Sequence, residues 1–195
     1  VKMPKFIRHR INTLAELSEL SPGLGAEIDL RSHKSRVILN HEPFSDGPTF
    51  KQWIDLWVSV PNRGTLILNP KEDGLESEII DILRAKNVED WFFLDLTIPT
   101  LVRLSRTERR LAIRQSSFEP LEQAMAFKGK ANWVWLDCFE GVPPSVDLVQ
   151  ELVAHFQVCL VSPELQGYPK DRIAQFKHLS SAVFAICTKH VELWL

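Results

Sequence analysis

The feature that most constrains this chain is a regular alternation of short extended apolar tracts with tracts of helical spacing. The extended tracts are "KFIRHR", "AEIDLRS", "TLILNPK", "WFFLDLT", "RLAIRQS", "NWVWLDCF", "FQVCLVSPE" and "SAVFAICT". In the intervening "ESEIIDILRAK", Ile79, Ile80, Ile82 and Leu83 share one face; Val146, Val149, Leu152 and Val153 do so in "SVDLVQELVAHF". "NTLAELSEL", "TFKQWIDLW", "IPTLVRLSRTE", "EPLEQAMAF" and "DRIAQFKHL" complete the helical set. Pro99, Pro120 and Pro169 stand at or near helix starts, where a missing N–H costs little. Eight strands, each followed by a helical stretch, predict parallel pairing, because parallel neighbours need a crossover. The expected fold is α/β, a compact (β/α)8 TIM barrel. An open doubly wound sheet is the alternative, but it usually carries a glycine-rich phosphate turn after its first strand, and no G-x-G-x-x-G occurs here.

One segment breaks the alternation. "RSHKSRVILNHEPF" adds an extended piece after the second strand and reads as a small hairpin insertion. No repeat or interdomain linker interrupts residues 1–195, which read as one barrel domain. A net charge of -2 gives no reason to expect nucleic acid. No apolar run reaches the ~20 residues of a membrane helix, and "VKMPKFIRHR" lacks the apolar core of a leader. Cys138, Cys159 and Cys187 each lie in an apolar run and read as buried thiols of a reducing compartment, so a cytoplasmic location is expected. Nothing in the sequence fixes an oligomeric state; Trp194 suits packing on the barrel or on a second subunit.

Polar residues gather where strands end. Alternate strand residues share a face, so Glu27 pairs with Asp29, Asn69 with Lys71, Asp95 with Thr97, Arg114 with Ser116 and Ser162 with Glu164, while Asp137 shares a face with Trp133 and Trp135. Unpaired charge inside a barrel is costly, so these ends must open to solvent or satisfy one another. The C-terminal mouth is also where active sites of such barrels lie. Two carboxylates at strand spacing suit a hard cation, Mg2+ or Ca2+. Arg10, Lys71 and Arg114 suit an oxyanion such as phosphate. His9 and His41 can exchange protons near neutral pH. Asp95, Asp137, Trp135 and Glu164 are read as pocket residues, and the tryptophans as barrel filling or pocket wall.

In this order the residues resemble the glycerophosphodiester phosphodiesterase family, within the phospholipase-C-like barrels. "HRINT" (9–13) is similar to the family's H-R-G and P-E-N-T opening, "EID" (27–29) to its E-x-D, "HEP" (41–43) to its H-D, and "NPK" (69–71) to its E-x-K. The resemblance is densest over residues 7–75. It implies that Glu27, Asp29 and Asn69 hold a divalent metal, that His9 and His41 act as general acid and base, and that Lys71 contacts phosphate. It also implies a small-molecule phosphodiester substrate and a place in lipid metabolism. Asn69 departs from the family pattern by replacing a carboxylate with an amide, which removes one negative charge; either the affinity for Mg2+ or Ca2+ falls, or another acid such as Asp137 or Glu164 substitutes. "CTKH" lacks the acid that often follows the family's last strand.

Three functions compete. The first is metal-dependent hydrolysis of a glycerol- or sugar-linked phosphodiester. The second is a catalytically weak or inactive barrel that binds a phosphorylated metabolite, which Asn69 favours. The third is an unrelated barrel enzyme, an isomerase or aldolase, with Lys71 as its reactive amine. His33, His155, His178 and His190 carry no motif and are read as ordinary surface or core histidines.

Overall fold

The computed structural model describes residues 3–195; Val1 and Lys2, with which the opening segment read for a leader begins, lie outside the described residues. The strands are β1 (Lys5–Arg8), β2 (Gly25–His33), β3 (Arg36–Leu39), β4 (Leu66–Pro70), β5 (Trp91–Phe93), β6 (Ala112–Gln115), β7 (Trp133–Leu136), β8 (Gln157–Val161) and β9 (Ala185–Thr188). Eight of them pair in the order β5-β4-β2-β1-β9-β8-β7-β6, every pair parallel. A parallel bridge between Phe93 and Leu111 joins the two ends and closes the barrel. All eight extended tracts of the sequence contain one of these strands.

The ninth strand, β3, runs antiparallel to β2 over Leu30–His33 and Arg36–Leu39. Its two-residue turn is Lys34-Ser35, with φ of 49° and 59°. Both residues take the left-handed region that a tight hairpin demands, without the Asn-Gly pair that usually announces it.

The connecting helices are α1 (Leu14–Glu19), α2 (Phe50–Ser59), α3 (Glu76–Ala85), α4 (Ile98–Leu104), α5 (Leu121–Met125), α6 (Val146–Val153) and α7 (Ile173–Phe176). Thr13 and Thr49 start α1 and α2 with reciprocal bonds to Glu16 and Gln52, so the first orphan N–H groups are met at once. Ile79 and Leu83 of α3 and Val149 and Leu152 of α6 are buried, but Ile80 and Ile82 are half-buried and Val146 and Val153 exposed, so the buried stripe is narrower than the spacing predicts. The expectation of a helix after every strand is corrected at the end: β9 is followed by a single 3-10 turn, Val191–Leu193. Trp194 holds that turn against the barrel, buried, with its indole N–H donating to Ser162 Oγ at 3.0 Å.

Two apolar layers result from strand alternation. Ala26, Ile28, Leu30, Leu66, Leu68 and Phe93 face the helices. Ile7, Ile67, Phe92, Trp133, Trp135, Cys159, Val161 and Cys187 fill the barrel interior, where Phe92 stacks on Trp133 with centroids 4.3 Å apart. The three cysteines are free and buried, and burial pushes the Cys138 thiol up to about 12. No helix is long and apolar enough to cross a membrane.

Candidate active site at the barrel mouth

The alternation that fills the barrel base also builds its mouth. Ile7 and Ile67 point inward, so His9 and Asn69, two residues on, point inward above them; on β2 the same face carries Glu27 and Asp29. Glu27 and Asp29 are both about 1% exposed. Buried carboxylates need partners, and each has them. Glu27 Oε1 accepts from Asn69 Nδ2 at 3.1 Å and Oε2 from the Arg10 backbone N–H at 2.9 Å. His9 Nε2 stands 3.7 Å from the same Oε2. Asp29 Oδ1 meets Lys71 Nζ at 2.9 Å, and Oδ2 meets Asn12 Nδ2 at 2.8 Å and Arg10 Nε at 3.4 Å. The left-handed backbone of Arg10, φ 59°, lets its N–H reach one acid while its side chain reaches the other.

The electrostatics of the pair are unequal. Burial, then the neighbouring Asp29, pushes the Glu27 carboxyl up to about 7. Burial acts on Asp29 too, but Lys71, Asn12 and Arg10 outweigh it and hold that carboxyl below its ordinary value. Burial, with Arg10 and Lys189 beside it, lowers His9 to about 4, so its imidazole is neutral at neutral pH. Its Nδ1 is buried without a partner, as is Asn69 Oδ1.

Asn12 is a site residue that sequence reasoning missed. Its amide clamps Asp29 from both sides, accepting from Asp29 N–H at 2.8 Å as well as donating to Oδ2. The signal was present in "HRINT", where Asn12 follows His9 by three. His41 stands at the rim, where Asn40 N–H donates to the Asp29 carbonyl at 3.2 Å. Its Nδ1 lies 2.7 Å from Glu42 Oε1, and its carbonyl accepts from Arg31 Nε and Nη2 at 3.0 and 2.9 Å. Among the described residues it makes no hydrogen bond or ion pair to Glu27, Asp29 or His9.

The remaining expected residues form separate networks. Arg114 on β6, expected as a phosphate ligand, is held by Asp95 and Asp137. Asp137 also accepts from Trp135 Nε1 at 3.2 Å, from Gln166, and from Cys138 N–H at 3.0 Å. In the strand order β6 and β7 lie across the barrel from β1 and β2. Glu164 ties the ends of β8 and β9 together, accepting from Ser162, Thr188 and the Lys189 N–H. Asp137 and Glu164, the acids named as alternatives for a missing ligand, are both engaged in these networks, away from Glu27 and Asp29. Asp95 and Thr97 do not share a strand face either, because β5 ends at Phe93; Asp95 is left-handed at φ 57° and Thr97 caps α4.

Among the described residues no three or more His, Cys, Asp or Glu are grouped to hold a metal ion. The donor set that exists is two buried carboxylates and one amide oxygen, and that oxygen, Asn69 Oδ1, is buried and unpartnered. All-oxygen donors of this kind fit a hard divalent cation, with one negative charge fewer than three acids would supply. Lys71 on Asp29 competes for the same charge.

No family model matches the chain, and no curated protein matches it. Solved structures do. A glycerophosphodiester phosphodiesterase from Agrobacterium tumefaciens superposes with a TM-score of 0.69 at 13% identity, covering 98% of this chain and 99% of that one. An Oleispira antarctica phosphodiesterase, solved with the product sn-glycerol-3-phosphate, gives 0.70 at 16% identity over 98% and 95% of the two chains. A tryptophan synthase alpha-subunit from Pyrococcus furiosus gives 0.59 at 13% identity, covering 98% of this chain and 90% of that one. Likeness at this identity carries the fold: the chain is a (β/α)8 barrel whose polar residues crowd one end. Chemistry must be argued from the site itself.

Proposed function

We propose that this barrel hydrolyses a glycerol- or sugar-linked phosphodiester at the mouth built by His9, Arg10, Asn12, Glu27, Asp29, Asn69 and Lys71. The observation that carries the reading is His9: a neutral imidazole beside two buried carboxylates and two cations. Arg10 and Lys71 receive the anionic phosphoryl oxygens. Arg114 is left out, because two carboxylates already hold it. A phosphodiester anion seated beside His9 favours imidazolium, so the proton affinity of His9 rises once substrate is in place. His9 then takes the proton of the attacking water. The P–O bond to the leaving alcohol breaks, and His41, oriented by Glu42, returns a proton to the departing alkoxide. Glu27, Asp29 and Asn69 would hold a divalent cation, which when bound supplies Lewis-acid polarisation of a phosphoryl oxygen. Phosphodiesterases among the similar folds, one with a glycerol phosphate product, support the substrate class.

A second reading, binding of a phosphorylated metabolite without turnover, is favoured by Asn69 and by the pairing of His41 with Glu42 rather than with the acids. Incubation with a glycerol-linked phosphodiester and Mg2+ or Ca2+, followed by phosphorus NMR, separates the two. Hydrolysis gives a monoester signal that chelation or Asp29→Asn reduces about a hundredfold or more. A diester that binds and persists indefinitely establishes the second reading instead.

A further inference from the structure

The barrel mouth uses its cations in pairs with acids, but two cations beside it make no direct ion pair among the described residues, although Arg8 stands near enough to the exposed Glu192 to help lower that carboxyl. Arg8 and Lys189 take part in no ion pair or side-chain hydrogen bond among the described residues, and Arg8 Nε is buried with no partner. Both line a cleft of about 620 Å³ that runs outward from His9, between the end of β1, helix α1 and the turn after β9. Arg8 ends β1 and His9 follows it, and continued alternation turns them to opposite faces: His9 inward with Ile7, Arg8 outward with Phe6. The cleft therefore joins the mouth to a cationic flank outside it. Of the acids on its walls, Glu16 is already bound by the Thr13 N–H and hydroxyl, and Glu19 stands exposed at the end of α1. His190 is paired with Glu192.

We infer that this cleft is a subsite for a second phosphate group, carried on the alcohol side of the substrate, with Arg8 and Lys189 as its receptors. The inference rests on the phosphodiester reading of the mouth and adds to it a preference for a substrate with two anionic groups. A buried guanidinium N–H without an acceptor is costly, and a phosphate oxygen offsets that cost through a charge-assisted bond. Arg8 offers a planar fork for two oxygens, and Lys189, just past the end of the adjoining strand β9, a point charge. Ile11, Leu20 and Leu24, which line the same cleft, suit a short carbon spacer.

Calorimetric titration with propyl phosphate and with propane-1,3-diol bisphosphate, at a fixed magnesium concentration, tests this. The wild-type protein should bind the bisphosphate at least tenfold more tightly. Arg8→Met should bring that advantage to threefold or less while leaving propyl phosphate affinity unchanged, and Lys189→Gln, an exposed change that does not threaten folding, should likewise shrink the advantage. Equal affinity for the two ligands in the wild type, or an undiminished preference in both variants, overturns the subsite and leaves the mouth intact. Failure of either ligand to bind overturns the phosphate reading of the mouth, and the subsite with it.

Discussion

Glu27 and Asp29 are two residues apart on one face, yet their surroundings divide their roles. Asp29 has two cations and an amide and stays charged; Glu27 has an amide and a backbone N–H and shares its proton near neutrality. Asn69 stands where a third acid would complete a hard-cation site. Asn69→Glu should therefore tighten Mg2+ or Ca2+ about tenfold, ~1.4 kcal/mol. The new acid also repels Glu27 and draws on Lys71, but a divalent ion carries twice the charge of the lysine. Calorimetry on both proteins reads the difference, and equal or weaker binding would place Asn69 away from the ion. Most of this site was legible, because strand alternation alone puts Glu27 beside Asp29 and Asn69 level with them. Asn12 lay inside the legible "HRINT", but its clamp on Asp29 was not legible, because it depends on the left-handed bend at Arg10. Nor were the partners of Arg114: Asp95 and Asp137 lie 19 and 23 residues away in sequence, and only barrel closure brings them together.

At the scale of elements, two joints set the barrel. Gly25 opens β2 at its contact with β1 and β4, where an added Cβ would strike the Thr65 carbonyl and come within 2.9 Å of Ile7 Cγ1. Backbone on one side leaves no room to relax, so Gly25→Ala should cost roughly 1–3 kcal/mol, read as a lower urea midpoint. The second joint is the turn before β6. Glu108 accepts from the Arg109 and Arg110 N–H groups, both at 2.8 Å, and from Arg110 Nε and Nη2 at 2.9 and 2.8 Å. Burial pushes its carboxyl up, but these donors outweigh it and the net shift is downward. A depressed folded value means the stabilisation is present above the unfolded value near 4.5 and fades as pH falls through the folded one. Glu108→Gln should thus lower stability by about 1 kcal/mol at pH 7, and the gap should narrow as pH falls below the unfolded value of 4.5. A gap that stays constant down to pH ~3 would mean the charge is irrelevant there. The eight barrel strands were legible because each is a short apolar run between turn residues. The 3-10 turn after β9 was not, since Trp194 fixes it by a tertiary bond to Ser162.

The whole molecule is a closed barrel with an apolar base and a charged rim. Large apolar side chains fill the interior from Ile7 and Ile67 across to Trp133 and Trp135, and the carboxylates begin one layer higher. The rim is divided: an Arg114 network crosses β5 to β7, a Glu164 tie joins β8 to β9, and the paired acids with His9 occupy β1 to β4. Among the described residues, only the last combines a neutral imidazole with nearby cations, and for that reason the proposed hydrolysis is assigned to it. The measurement that tests this most directly is the turnover number of His9→Gln on a glycerol-linked phosphodiester, followed by phosphorus NMR. The account predicts a fall of about 10²- to 10⁴-fold, with phosphate affinity kept because Arg10 and Lys71 remain. A wild-type turnover number in that variant would contradict it.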